Sequence, residues 1–181
     1  MSNAVYILSS LPFLRFGDKP PFSIAEFRSR LVGLVTDSEL NALDALIAGE
    51  SAEDPFIENY LSHEIQMRNV LGKHRAQEWG PDVRFLERPF KGYDVTFAKM
   101  VSDAYAKQNP IEREEDLDKA RFWLVDELSK DENSMASVYA FAVKLMICER
   151  WARLSEKAGN DALIQVINDN DPVLKQGVSE D

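Results

Sequence analysis

The two histidines of this 181-residue chain are the side chains best suited to metal binding, but their spacing argues against a shared metal ion. His63 and His74 are eleven residues apart, which on one helix corresponds to about 16 Å. His63 and Glu64 begin like the zinc motif H-E-x-x-H, yet the position of the second histidine is occupied by Met67. The sequence therefore predicts no metal site.

Cys148 is the only cysteine, so the chain cannot form an internal disulfide. A catalytic thiolate needs a base and an exposed, electropositive setting, and Lys144 and Arg150 are close in sequence. The direct neighbours Met146 and Ile147 are apolar, however, which favours a small buried side chain. We expect a structural role for Cys148 and a reducing compartment.

Carboxylates are concentrated between residues 112 and 118. They are Glu112, Glu114, Glu115, Asp116 and Asp118. Such a group can serve acid–base catalysis or bind Ca²⁺, but acidic residues at the start of a helix also stabilise it through the helix dipole. We favour a solvated helix terminus. Because the sequence also lacks a glycine-rich phosphate loop, it predicts no catalytic residue and no cofactor.

Cations and polar groups on two predicted long helices are candidates for binding an acidic partner. They are Arg68, Asn69, Lys73 and Arg75 on one helix, and Lys144, Glu149, Arg150 and Arg153 on the other. Salt bridges within the chain are an equally good explanation for each of these residues taken singly.

Helix-start signals place the elements that must carry these residues. Ser23 with Glu26 and Thr36 with Glu39 have the spacing of capping boxes, and Phe22 and Phe27 that of a hydrophobic staple. Proline follows an N-cap residue at Asp54 and again at Asn109. We expect helices from residue 24 to about 35, from 37 to Gly49, and from 55 to Trp79.

Three further helices are predicted from apolar spacing. The first is indicated by Tyr93, Phe97, Met100, Val101 and Ala104, which recur at helical spacing. Residues Leu117, Ala120, Leu124, Val125 and Leu128 lie on one face of a helix. The segment 135–158 is apolar on more than one face and should be the central core helix. The similar lengths of 56–79 and 135–158 suggest a duplication. The chain is thus expected to form one helical domain over residues 1–170, or two pseudo-repeated modules at about 20–88 and 89–170.

The ends of the chain differ from this helical pattern. Ala4–Leu11 is rich in β-branched and aromatic residues and precedes Pro12, which predicts a short extended segment or strand. Such a strand needs a partner for its backbone groups, and Val83–Leu86 is a candidate. Residues 171–181 are predicted to form a flexible acidic tail. The predicted fold class is all-α apart from the N-terminal segment.

The net charge of −10 and a pI near 4.8 disfavour binding to nucleic acid or anionic lipid. The apolar start of the chain lacks the basic region of a secretory signal, and no stretch is long and apolar enough to span a membrane. We expect a cytoplasmic protein without direct membrane insertion.

Five sequence blocks, taken in order, resemble one bacterial family. The blocks are YILSSLPFL, FGDKPPFS, RNVLGKHRAQEWG, NPIEREEDLDKARFWLVDEL and KLMICERW. They are similar to those of short bacterial relatives of the C-type subunit of V/A-type ATPases, an uncharacterised family associated with V-type ATPases. The resemblance runs from about Tyr6 to Ile167.

The resemblance implies a helical bundle of modules like those of the C-type subunit, placed in the central stalk, which joins the soluble rotor shaft to the membrane proteolipid ring. It implies a role in ion transport without catalysis, with other ATPase subunits as partners and peripheral attachment to the membrane. The N-x-x-x-x-x-R element of the classical C-type subunit matches Asn69 to Arg75. The implied interface residues are Arg68, Asn69 and Arg75, with Glu149, Arg150 and Trp151 in the second module.

Two other functions remain open on the sequence. A free-standing helical scaffold or regulatory protein would have a closed, polar surface. An enzyme with an unfamiliar helical site would gather titratable groups with perturbed pKa values in a pocket.

Overall fold

The structure, a computed structural model, describes residues 3–80, 84–131 and 133–154, and this part of the chain forms seven helices without a strand. The helices are α1 (Ala4–Ser10), α2 (Ile24–Leu31), α3 (Asp37–Ala48), α4 (Pro55–Trp79), α5 (Val95–Tyr105), α6 (Pro110–Leu128) and α7 (Met135–Arg153). The predicted all-α fold is confirmed.

The predicted N-terminal strand is wrong, because Ala4–Ser10 is helical. Ala4 and Ile7 are buried, and Leu8 and Leu11 pack against the same core, which is the i, i+3, i+4, i+7 spacing of one helix face. This burial outweighs the β-propensity of the segment. Without a strand, the proposed pairing with Val83–Leu86 also fails; residue 83 lies outside the described residues.

The helix starts were predicted correctly. Ser23 accepts a hydrogen bond from the backbone of Glu26, Thr36 and Glu39 form a complete capping box, and Asp54 caps α4. The staple is also present, since the rings of Phe22 and Phe27 stack with centroids 6.2 Å apart. The helix predicted to run to residue 35 ends earlier, at Leu31, because the chain turns through Gly33 with a positive φ.

Helix α7 is the central helix, as predicted, and α1, α2, α3, α4 and α6 all pack against it. Aromatic contacts fix several of these helices to α7. The ring centroid of Phe141 lies 5.1 Å from that of Phe27 in α2, and Tyr139 lies 6.1 Å from Phe56 in α4. These residues belong to the larger of two apolar clusters.

The smaller apolar cluster joins α4, α5 and α6 around Met67, Phe97, Val101, Leu117 and Leu124. Helix α4 contributes to both clusters, since Phe56 and Ile57 belong to the larger one. Its 25 residues correspond to a length of about 37 Å. Helix α4 is therefore the long element that connects the two parts of the core.

No helix in the described part of the chain is long and apolar enough to cross a membrane. The helix predicted to reach residue 158 ends earlier, at Arg153, with Leu154 as its C-cap. The predicted acidic tail, 171–181, lies outside the described residues.

Candidate functional site

The chain between α4 and α5 folds back along α4, where two side-chain amides hold it. Asn69 donates to the carbonyl of Arg88 at 2.8 Å and accepts from its N–H at 3.0 Å. Gln66, one helical turn earlier, binds the carbonyl and N–H of Asp94 in the same way, at 2.6 and 3.1 Å. These two pairs fix residues 84–94, here called the connector, although the connector contains no helix or strand.

Gly72 allows the connector to approach α4 closely. The ring of Phe85 occupies the space where a side chain at residue 72 would begin, so that a Cβ there would lie 2.1 Å from Cε2 of Phe85. Lys73 adds an ion pair with Glu87 at 2.9 Å. A mid-helix glycine, which costs about 1 kcal/mol relative to alanine, is thus explained by the aromatic ring that packs on it.

Basic and apolar side chains surround this contact and form what we call the connector face. Arg68, Gly72, Arg75 and Trp79 follow one another at i, i+4, i+7 and i+11, which places them in one row along α4. Leu86, next to Phe85, is 89% exposed and Trp79 is 72% exposed. The face also includes the exposed cations Arg84 and Arg88 of the connector, which lie on either side of Phe85, Leu86 and Glu87 in the sequence.

The charge of the connector face is opposite to that of the whole protein, which is −10. The cations Arg68, Arg75, Arg84 and Arg88 have no carboxylate within ion-pair distance among the residues that the structure describes. Two acids of the described segments close in sequence are engaged elsewhere: Glu87 pairs with Lys73, and Glu78 accepts a hydrogen bond from Tyr105 at 2.6 Å. A local positive potential next to exposed apolar side chains is typical of a protein-binding surface.

The structure places three predicted interface residues on or beneath this face. Arg68 and Arg75 are exposed. Asn69 is only 2% exposed, and its amide is used in holding Arg88. Arg68 and Arg75 are therefore available to a partner, whereas Asn69 positions the connector.

A second polar cluster joins α4, α6 and α7 inside the bundle. The carboxylate of Asp118 is 1% exposed and accepts hydrogen bonds from Arg150, from Trp151 Nε1 at 2.6 Å and from Arg121 at 2.9 Å. Arg121 also donates two hydrogen bonds to Glu64, at 2.6 and 3.1 Å. A buried carboxylate with three donors is fully compensated, as burial of a charge requires.

The pKa shifts in this cluster follow from burial and from the paired charges. Burial would lower the pKa of Arg121, but the charge and hydrogen bonds of Glu64 raise it overall. Burial, followed by the charge of Glu64, raises the pKa of the Tyr60 phenol. A cleft of about 240 Å³ opens onto Tyr60, Asp118, Arg121 and Arg150. The pKa shifts keep Arg121 charged and Tyr60 protonated, and both carboxylates of the cluster, Glu64 and Asp118, are paired with arginines.

The remaining predicted interface residues belong to this cluster or lie beside it. Arg150 and Trp151 bind Asp118, and Glu149 lies 3.8 Å from Arg153. Their main contacts are therefore within the chain. The prediction of a solvated acidic terminus at 112–118 is wrong for Asp118, although it fits the exposed Glu112 and Glu114. Asp118 directly follows Leu117, on the edge of the apolar stripe of this helix, and this position was the sequence signal that it could be buried.

The histidines and the cysteine are used in packing. His63 Nδ1 is 2.8 Å from the carbonyl of Asn59. His74 stacks on Tyr105 with centroids 5.0 Å apart, and its Nε2 is 3.0 Å from Ser102 Oγ. Burial raises the pKa of the Cys148 thiol, as expected for a structural cysteine. The described residues contain no group of three His, Cys, Asp or Glu side chains suited to a metal ion.

Comparison with known proteins relates the second half of the chain to a protein family. Residues 93–173 are similar to a family described as protein of unknown function (DUF2764). This region includes α5, α6 and α7, and therefore Asp118, Arg121, Arg150 and Trp151, but neither α4 nor most of the connector. No curated protein and no solved structure matches the chain.

Proposed function

We propose that this protein is a non-catalytic component of the central stalk of a bacterial V/A-type rotary ATPase, similar to the C-type subunit, and that it couples the rotor shaft to the proteolipid ring. The observation that carries the proposal is the connector face, a fixed surface on an acidic protein that combines exposed apolar side chains with cations unpaired in the described part of the chain. A surface of this kind needs a macromolecular partner more than it needs a substrate.

The frame behind the connector face supports a mechanical role. Three of the sequence blocks that resemble the V/A-type ATPase family fall on α4, α6 and α7, which are the three helices joined by the Glu64, Arg121 and Asp118 cluster. A stalk component that transmits torque must resist relative movement of its helices. Buried ion pairs that cross between long helices oppose such movement, since breaking one leaves a buried charge without a partner.

The polar groups inside the bundle support binding rather than catalysis. Glu64 and Asp118 are occupied by arginines, and Cys148 is buried. In this proposal the protein is cytoplasmic and is attached to the membrane only through the other ATPase subunits.

The proposal can be tested by purifying the tagged protein from gently solubilised membranes of its own cells. We expect the catalytic head, the shaft and the proteolipid ring to co-purify in constant proportion, together with ATPase activity. Recovery of the protein alone, from cells that contain the ATPase, would contradict the proposal and favour a free-standing helical scaffold.

A further inference from the structure

We infer that the connector face binds an acidic protein segment that carries at least one bulky apolar side chain. This inference rests on the proposed function, which supplies the partner complex. It adds the chemistry that the partner must present at this surface. It starts from Arg68 and Arg75, two exposed residues about two turns apart on α4, with Gly72, on which the Phe85 ring lies, between them in the sequence.

Charge is the first argument for an acidic partner. Four exposed cations of the face are without a carboxylate partner among the described residues, although the chain as a whole has 31 acidic residues against 21 basic ones. Together they give a local positive potential on an acidic protein, which the carboxylates of an acidic segment would complement. Complementary charge at an interface accelerates association and selects the partner.

Exposed apolar area is the second argument, and it favours a protein over a phosphate polymer. Leu86 at 89% and Trp79 at 72% exposure belong to the same face as the cations, and an aliphatic side chain such as Leu86 offers neither charge nor a hydrogen bond to a phosphate. The net charge of −10 also opposes the long-range attraction of the whole chain to nucleic acid or anionic lipid. A segment with carboxylates around an apolar anchor would satisfy both features of the face.

Rigidity is the third argument. The amides of Gln66 and Asn69, the Phe85 ring on Gly72 and the Lys73–Glu87 ion pair hold the connector in one conformation. A surface that is fixed before binding loses little conformational entropy when the partner arrives.

The experiment uses the full chain in cells that contain the ATPase, with the photocrosslinking residue p-benzoyl-phenylalanine in place of Leu86. The same residue at Val32, which is 58% exposed on the turn after α2, is the control. Mass spectrometry then identifies the crosslinked peptide. We expect position 86, but not position 32, to crosslink to a peptide rich in Asp and Glu with an apolar residue.

Charge reversal provides the second measurement. The double variant Arg68→Glu and Arg75→Glu should lower the crosslinking yield at residue 86 about tenfold or more. Lys19→Glu with Lys130→Glu makes the same change in net charge at exposed sites away from the face and should leave the yield unchanged. Added salt should weaken the wild-type crosslink.

The possible outcomes separate the inference from the proposed function. Crosslinking to an acidic segment of an ATPase subunit supports both, whereas crosslinking to an acidic segment of another protein supports the inference and contradicts the stalk assignment. If the protein co-purifies with the ATPase but position 86 gives no crosslink, or crosslinks to lipid, nucleic acid or a non-acidic peptide, the inference is overturned and the stalk assignment stands. Equal yields from the two double variants would also overturn the inference.

Discussion

The ring of Phe85 lies on the backbone of Gly72, so close that a Cβ at residue 72 would be 2.1 Å from Cε2 of Phe85. The contact joins an irregular connector to the middle of the longest helix. It depends on one glycine in a helix of 25 residues, and it lies between the two arginines to which we assign partner binding.

The contact between Gly72 and Phe85 predicts a coupling between two substitutions. Gly72→Ala alone gains helix propensity but displaces the Phe85 ring, so the two effects oppose each other. In a Phe85→Ala background the ring is absent, and Gly72→Ala should raise the free energy of unfolding by about 1 kcal/mol. Urea unfolding of the four proteins measures the coupling. Equal effects of Gly72→Ala in both backgrounds would mean that the ring does not pack on residue 72.

The amide of Asn69 predicts local rather than global instability. Asn69→Ala removes both hydrogen bonds to Arg88, at a cost of about 1 to 2 kcal/mol, and should free the connector. Trypsin should then cleave faster after Arg84 and Lys91, whereas the bond after Arg88 resists trypsin because Pro89 follows it. Asn59→Ala, at an exposed position on the same helix, is the matched control and should leave the cleavage rate as it is. Wild-type rates in Asn69→Ala would show that other contacts hold the connector.

Asp118 should contribute far more to stability than its acidic neighbours. Asp118→Asn removes the charge that Arg121 and Arg150 share and leaves Arg150 with only the 4.0 Å pair to Glu114. The new amide group also points a donor at one of the three donors around it, so the variant should lose about 3 kcal/mol of stability. Asp116→Asn is the control, because Asp116 is 30% exposed and pairs with lysines, so its loss should cost less than about 1 kcal/mol. Guanidinium unfolding compares the two variants. Similar losses in both would contradict the assignment of Asp118 as a buried anchor.

The ion pair between α2 and α3 predicts a pH dependence. Arg28 donates two hydrogen bonds of 2.6 Å to Asp44, and these lower the pKa of the Asp44 carboxyl. A lowered folded-state pKa contributes stability that is present above the unfolded value of about 3.9 and is lost as the pH falls through the folded value. The contribution is small and sensitive to salt, since both side chains are 40% exposed.

We therefore expect wild type to melt at a higher temperature than Asp44→Asn at pH 7 in low salt, and the difference to shrink as the pH falls toward 3. Circular dichroism melts at several pH values measure it. A difference that stays constant or grows toward low pH would exclude the Arg28 pair as its cause.

Capping residues and prolines predicted most of the helix starts because they act within a few residues of the chain. Asp54 and Pro55 determine where α4 begins without help from the rest of the fold, and Gly49 ends α3 with a positive φ of 72°. The N-terminal segment was mispredicted for the opposite reason. Its valine, tyrosine and isoleucine favour a strand in isolation, but the core offers Ala4 and Ile7 a helical contact.

The candidate site was only partly predictable for a related reason. Cations at Arg68 and Arg75 could be found from sequence, since their spacing on a helix is fixed. The connector could not, because the pairing of Asn69 with Arg88 depends on a chain reversal between them. Arg150 and Trp151 were expected at an interface, but their partner Asp118 is 32 and 33 residues away in the chain.

The central claim is that this protein couples the rotor shaft to the ion-conducting ring, and ion pumping tests it most directly. Membrane vesicles from cells lacking the protein should still contain the ATPase head, and released heads should hydrolyse ATP. If the protein is required for coupling, these vesicles should build less than about a tenth of the wild-type ATP-driven ion gradient. The wild-type chain should restore pumping. A full gradient in vesicles that lack the protein would contradict the account.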